Sequence, residues 1–307
     1  METTRMPSPD RSETTKRALL YLGITFGLTY AYGFGLLPVL SRAAQTNGAM
    51  LAVFQLAFTA VMFFPALGVL FTRLLTREGF SEHFLAPHIK GNAGVYLLAW
   101  FGPLVLTIVG AAVWFAVRPD TFDPEMGYLN AQLMGQPLPF SLPAFLAMQG
   151  LLVLIAPVLN AVPCFGEEWG WRGYLLPKLQ KLMPPIPAVL LSGVIWGLWH
   201  APVIALGHNY GLGYAGAPWS GILMMCVFTT AMGVLLSYVT ARTKSCLPAI
   251  IGHGMVNGCA ALGLMFTQSG GDPFLGPAPT GIVGMSGFVL CAIALLLLWK
   301  KRMPAEK

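Results

Sequence analysis

Charge is what this sequence has least of. Of its 307 residues only 10% are Asp, Glu, Lys or Arg, while 56% are hydrophobic, and the mean hydropathy is +0.68. A soluble domain carries about a quarter charged residues, so the composition excludes that class and predicts an all-α, polytopic membrane helix bundle. Cysteine is scarce and unpatterned. Cys164, Cys226, Cys246, Cys259 and Cys291 form no CxxC, their number is odd, and most lie in apolar runs. A disulfide framework or a cysteine zinc site is therefore not expected. There is no HExxH, and no serine stands in a nucleophile-elbow pattern; Ser192 and Ser245 have ordinary contexts. The polar stretch to about Thr15 leads into no short apolar core with a small-residue cleavage site, so a signal peptide is not expected. Internal repeats, low-complexity tracts and a basic, aromatic-studded soluble domain are also missing. Nucleic acid is thus not an expected partner, despite the net charge of +6.

What the chain does have is long apolar stretches. A transmembrane helix needs about 20 mostly apolar residues. Eight stretches qualify, near 18–40, 48–72, 93–117, 141–163, 186–206, 219–240, 246–267 and 281–299. The basic residues test that count. With both termini cytoplasmic, sixteen of the eighteen Lys and Arg fall inside, and only Arg42 and Arg118 fall outside, as the positive-inside rule requires. One domain is expected, spanning 18–299 with a motif-bearing core at about 141–267. A cytoplasmic tail at 1–17 and a basic tail at 300–307 flank it. Short loops and the lack of a targeting signal point to a multi-pass protein of a prokaryotic plasma membrane. Nothing in the pattern sets an oligomeric state.

Four polar constellations interrupt the apolar background. Charged groups in a bilayer cost a few kcal/mol or more unless paired or placed at a water-filled cavity. In Glu167-Glu168-Trp169-Gly170-Trp171-Arg172, Glu168 and Arg172 are four apart and can pair on one helix face. Glu167 points about 100° away and is free for other work. An interfacial ion pair explains the cluster about as well when it is taken alone. Trp196 and His200 share a helix face, as do His253 and Asn257. One such histidine is more often an interhelical hydrogen-bonding group than a catalyst; two of them with an asparagine and a carboxylate weaken that explanation. The fourth, Gly207-His208-Asn209-Tyr210, falls in a predicted exterior loop, with His208 expected to be solvated.

Together these groups suffice for amide hydrolysis without a covalent intermediate. A carboxylate can take a proton from water as it attacks a carbonyl. One histidine can hold that water, while a second histidine and an amide donate to the oxyanion. A metal version is also available: Glu167, His200 and His253 would supply three ligands to Zn²⁺ and leave a water position open. It would ask Glu168 or Asn257 for the second functional group, and Glu168 is already engaged by Arg172. The metal-free version, requiring no cofactor, is therefore preferred.

The three ordered motifs, Glu167-Glu168-x-x-x-Arg172, Trp196-x-x-x-His200 and His253-x-x-x-Asn257, resemble those of the CPBP (CAAX protease and bacteriocin-processing, or Abi) family of intramembrane proteases. That family includes the type II CAAX prenyl endopeptidases. The resemblance covers roughly 160–260. It implies a membrane endopeptidase, commonly labelled a metalloprotease, with a cavity reachable from the cytosolic side. In it Glu167 and His200 activate water, His253 and Asn257 stabilise the oxyanion, and Glu168, Arg172 and Trp196 support the site. The family often has Phe where this chain has Trp196. The resemblance implies a peptide or protein substrate in the bilayer, with or without a prenyl group. Two other classes remain open: a catalytically silent scaffold or immunity factor, and a proton- or ion-coupled transporter.

Depth poses a problem for a shared site. Equal helix starts would offset His200 from His253 by about 10 Å, at 1.5 Å per residue. Pro157, Pro163 and Pro184-Pro185-x-Pro187 offer breaks around the fourth span. Glu167 is accordingly predicted on a helix that dips into the membrane.

Overall fold

The computed structural model describes residues 11–134, 136 and 140–302. The expected residues 1–10 and 303–307 of the two tails lie outside them. Ten helices frame the site: α1 (Arg11–Ala44), α2 (Gly48–Leu75), α3 (Ala93–Val117), α4 (Leu142–Leu159), α5 (Ala161–Gly170), α6 (Leu176–Leu182), α7 (Pro185–Trp199), α8 (Trp219–Thr243), α9 (Leu247–Cys259) and α10 (Ser286–Arg302). This is a multi-pass, all-helical membrane bundle. Six segments are long and apolar enough to cross a bilayer: α1 to α4, α8, and α9 with its continuation to Met265. The stretches expected near 186–206 and 281–299 form the shorter apolar helices α7 and α10. The first helix starts at Arg11, seven residues before the expected span.

The expected fourth span breaks early. α4 ends at Leu159, and Asn160 separates it from α5. A π-helical turn, Trp171–Leu175, then joins α5 to α6. Such turns cluster at functional sites. α2 is broken too, by a 3₁₀ turn at Val61–Phe63 just before Pro65, and the glycines of α5 dock there. A Cβ on Gly166 would lie 2.9 Å from Phe63 Cα, and one on Gly170 would lie 2.5 Å from Pro65 Cβ.

The same spacing recurs on the other two motif helices. Gly193 and Gly197 of α7 press on Thr230 and Cys226 of α8, while Gly254 and Gly258 of α9 press on Pro157 and Ala156 of α4. Small residues four apart let helix backbones approach closely where lipid provides no hydrophobic driving force. Each motif helix therefore backs a glycine stripe against a neighbour and turns its polar side chains elsewhere. α8 is the most buried of the six long segments. Its hydroxyls bond inward: Thr229 to Met225 O (2.7 Å), Thr240 to Leu236 O (2.8 Å) and Thr243 to Val239 O (2.8 Å). These bonds satisfy polar atoms that would be costly in an apolar core.

The two ends of the bundle differ. One gathers the start of α1, the 76–92 connection, α6 and the end of α8. There Lys178 pairs with Glu78, Lys181 with Glu82 (2.9 Å), and Arg11 Nη2 donates to Leu182 O (3.1 Å). The Cys246 amide closes this end on Phe84 O at 2.8 Å. At the other end the 205–218 and 266–285 connections meet, with Tyr210 Oη donating to Thr280 O at 3.2 Å.

Candidate active site

The helix geometry separates the two adjacent glutamates as expected. Glu168 is fully buried (0% exposed) and its Oε1 accepts from Arg172 Nη1 at 3.0 Å. The same oxygen accepts from His253 Nδ1 at 2.9 Å. Glu168 thus ties the π turn to α9, a cross-helix role that the i,i+4 spacing could not reveal. Buried charges of this kind persist only when paired.

Glu167, 2% exposed, faces a cavity of about 290 Å³. Its Oε2 accepts from Trp196 Nε1 at 2.7 Å. Among the described residues its other oxygen has no hydrogen-bond partner. Trp196 is the hub of the site. Arg172 Cζ lies 4.1 Å from its ring centroid, the His253 ring is edge-on at 5.3 Å, and the His200 ring is at 5.9 Å. The resemblance gave Trp196 only a supporting role. The indole N–H, a donor that Phe lacks, gives it a direct hold on Glu167.

His200 caps α7, one turn beyond Trp196. His200 Nδ1 lies 2.8 Å from Trp196 O. A carbonyl only accepts, so Nδ1 carries the proton, and in the neutral ring Nε2 presents a lone pair. Asn257 donates to Cys164 Sγ at 3.5 Å, holding its amide across to α5. Glu167, Trp196, His200, His253 and Asn257 all line the one cavity. Glu168 and Arg172 stand behind it.

One expectation changes. His208 is not a solvated loop residue: it is half-buried, lines the same cavity and packs on Phe58 at 5.1 Å. The connection from 205 to 218 folds inward because Tyr210 and Tyr214 pack on Phe274, at 5.3 and 4.6 Å. The cavity also runs toward the end that the basic residues avoid, through Val203, Asn209, Pro279 and Thr280. Trp171, Arg172 and Tyr174 are fully packed away from solvent. Phe228, Thr229 and Met232 of α8 also line the cavity. Nothing in their local sequence sets them apart from core residues.

Comparison with known proteins now bears on this geometry. Residues 148–259 match the family described as Type II CAAX prenyl endopeptidase Rce1-like. Over this segment the chain is similar to that family. The matched segment contains all seven motif residues. A relative named CAAX prenyl protease 2, from Methanococcus maripaludis, is 31% identical over 143 residues, or 46% of this chain and 48% of that protein. The chain thus spans about half the length of the curated relative it matches.

A metal at this site must be weighed against its donors. Glu167, His200 and His253 are the side chains that would offer oxygen and nitrogen. Among the described residues, no group of three or more His, Cys, Asp and Glu is arranged to hold a metal ion. Glu167 gives one oxygen to an indole N–H and keeps the other unpartnered among the described residues.

Proposed function

We propose that this protein is an intramembrane endopeptidase that hydrolyses a peptide bond with water activated by Glu167. One observation carries the reading: a carboxylate fixed by Trp196 shares a cavity with His200, His253 and Asn257. Glu167 takes a proton from water as the oxygen attacks the scissile carbonyl. His200 Nε2 accepts the water's second hydrogen bond and orients its lone pair. The oxyanion accepts from Asn257 Nδ2 and from His253 Nε2 when that ring carries its second proton, with Glu168 orienting the ring from Nδ1. Glu167 then returns the proton to the leaving nitrogen and the C–N bond breaks. Positioned acid–base groups of this kind supply about 10²–10⁴ in rate, and an oxyanion donor about 10²–10³. The mechanism uses this chain's side chains alone and requires no cofactor.

The substrate in this reading is a membrane-anchored peptide or protein, including one carrying a prenyl group. Apolar residues of α2 (Phe58, Val61 and Met62) line the cavity and can accept such a chain. Charge distribution supports cytoplasmic termini, in a prokaryotic plasma membrane. The test is proteomics of membrane peptides in cells carrying the wild type or Glu167→Ala, with and without a strong chelator. Cleavage products that vanish in the variant and persist under chelation are expected. A Glu167→Gln protein that keeps its full biological effect would instead mark a silent scaffold or immunity factor. Ion flux into liposomes that survives this substitution would mark a transporter.

A further inference from the structure

The basic end of the bundle carries a recess that peptide hydrolysis does not use. It holds about 400 Å³ and is lined by Ser81, His83, Phe84, His88, Lys181 and Lys244, with Glu82 as the one acid lining it among the described residues. Lys181 takes that acid at 2.9 Å. Lys244 is exposed and pairs with no carboxylate among the described residues, so the recess keeps an uncompensated cation. His83 Nδ1 accepts from the Leu85 N–H at 3.0 Å, which leaves Nε2 carrying the ring's proton as a free donor. The Ser81 hydroxyl adds another donor.

The main chain that presents these groups is held firmly. The buried Arg73 guanidinium donates to Gly79 O and Glu82 O, and Trp169 Nε1 donates to His83 O at 3.1 Å. The Cys246 amide donates to Phe84 O at 2.8 Å, and His88 Nδ1 donates to Thr243 O at 2.9 Å. Phe84, His88 and Lys244 all take the left-handed conformation (φ 56°, 42° and 52°), where a bulky residue such as Phe84 is an outlier. Strain of this kind persists only where the surroundings over-determine it, and it gathers at ligand sites. Tethered in this way, the donors stand in place before a ligand arrives, which lowers the cost of binding one.

Charge and depth name the ligand. An ammonium, an imidazole N–H and a hydroxyl on one recess suit an anion with several oxygens. α2 ends at Leu75, α3 begins at Ala93, α8 ends at Thr243 and α9 begins at Leu247, so the connections that build the recess lie where membrane helices meet the headgroups. Phe80 and Ile89 of the same connection are exposed (45% and 56%), an arrangement that suits a lipid surface. Arg77 and Lys90 flank them and add positive charge that attracts anionic lipid.

We propose that this recess binds the phosphate of an anionic phospholipid in the leaflet that the basic end faces, with Lys244 and His83 as its main donors. Because His83 and Phe84 are bonded to Trp169 of α5 and to Cys246 just before α9, the bound headgroup steadies the helices that carry Glu167 and His253. The binding is independent of peptide cleavage and is tested without it.

Purified full-length protein in neutral detergent is titrated with phosphatidylglycerol, with diacylglycerol of the same chains, and with glycerol phosphate, while its unfolding temperature is followed. Phosphatidylglycerol should raise that temperature at concentrations at least about tenfold below those at which glycerol phosphate does, and diacylglycerol should not raise it. His83→Ala/Lys244→Ala should need about tenfold or more phosphatidylglycerol for the same rise, as expected for lost hydrogen bonds to a charged group. Lys16→Ala, which removes an exposed cation on α1, should respond as the wild type does. Lys244→Gln, a milder change at an exposed position, should show a loss in the same direction and serves if the double variant does not fold. Equal effects of phosphatidylglycerol and diacylglycerol, or recess variants that respond as the wild type does, overturn the proposal. Glycerol phosphate acting at the same concentration as phosphatidylglycerol overturns the lipid assignment and marks a soluble phosphate as the ligand.

Discussion

Glu167 and Glu168 are neighbours in the chain and occupy opposite surroundings. Glu168 lies in a sealed compartment where one oxygen serves Arg172 and His253 together. Glu167 lies on a cavity wall, held on one side by an indole N–H. The difference shows how a single helical step divides labour. One carboxylate spends its charge on holding three helical segments together, and the other keeps a lone pair facing the cavity.

Substitutions at the two positions should therefore fail differently. Glu167→Gln should reduce peptide cleavage by about a thousandfold, the scale of a lost general base, while thermal unfolding in detergent stays close to wild type. Glu168→Gln should cost about 3–5 kcal/mol of stability by leaving Arg172 short of its counter-charge, seen as a clear drop in unfolding temperature alongside lost activity. If both variants unfold alike, the division of labour is wrong. Trp196→Phe sharpens the contrast, because it keeps a ring over Arg172 and removes the donor to Glu167. A fall of about thirtyfold in kcat with little change in KM is expected, the worth of a hydrogen bond to a charged group. Unchanged kcat would reduce Trp196 to packing. The smallest effect belongs to an exposed pair: Lys181→Ala should shift stability by less than about 1 kcal/mol, because Lys181 and Glu82 meet in solvent. A larger shift in denaturation would show that burial is not what separates these ion pairs.

The bundle was legible in the sequence because apolar runs and basic-residue bias are one-dimensional signals. The pairing of Glu168 with Arg172 was legible for the same reason, since four residues make one turn. Contacts between helices were not. The hold of Trp196 on Glu167 spans 29 residues and that of Glu168 on His253 spans 85, and no periodicity encodes either. His208 was misplaced because its loop is turned inward by Tyr210, Tyr214 and Phe274, which meet only in three dimensions. The break after Leu159 was anticipated from Pro157 and Pro163, though its position at Asn160 was not. The three motifs were readable as a set because they stand in order, and the structure gathers them at one cavity.

The glycine stripes of α5, α7 and α9 separate what frames the cavity from what shapes it. Main-chain contact fixes where the polar machinery stands, while Met225, Phe228 and Met232 of α8 contribute contour alone. Exchanging those three should re-tailor which peptides fit without shifting the water-activating groups.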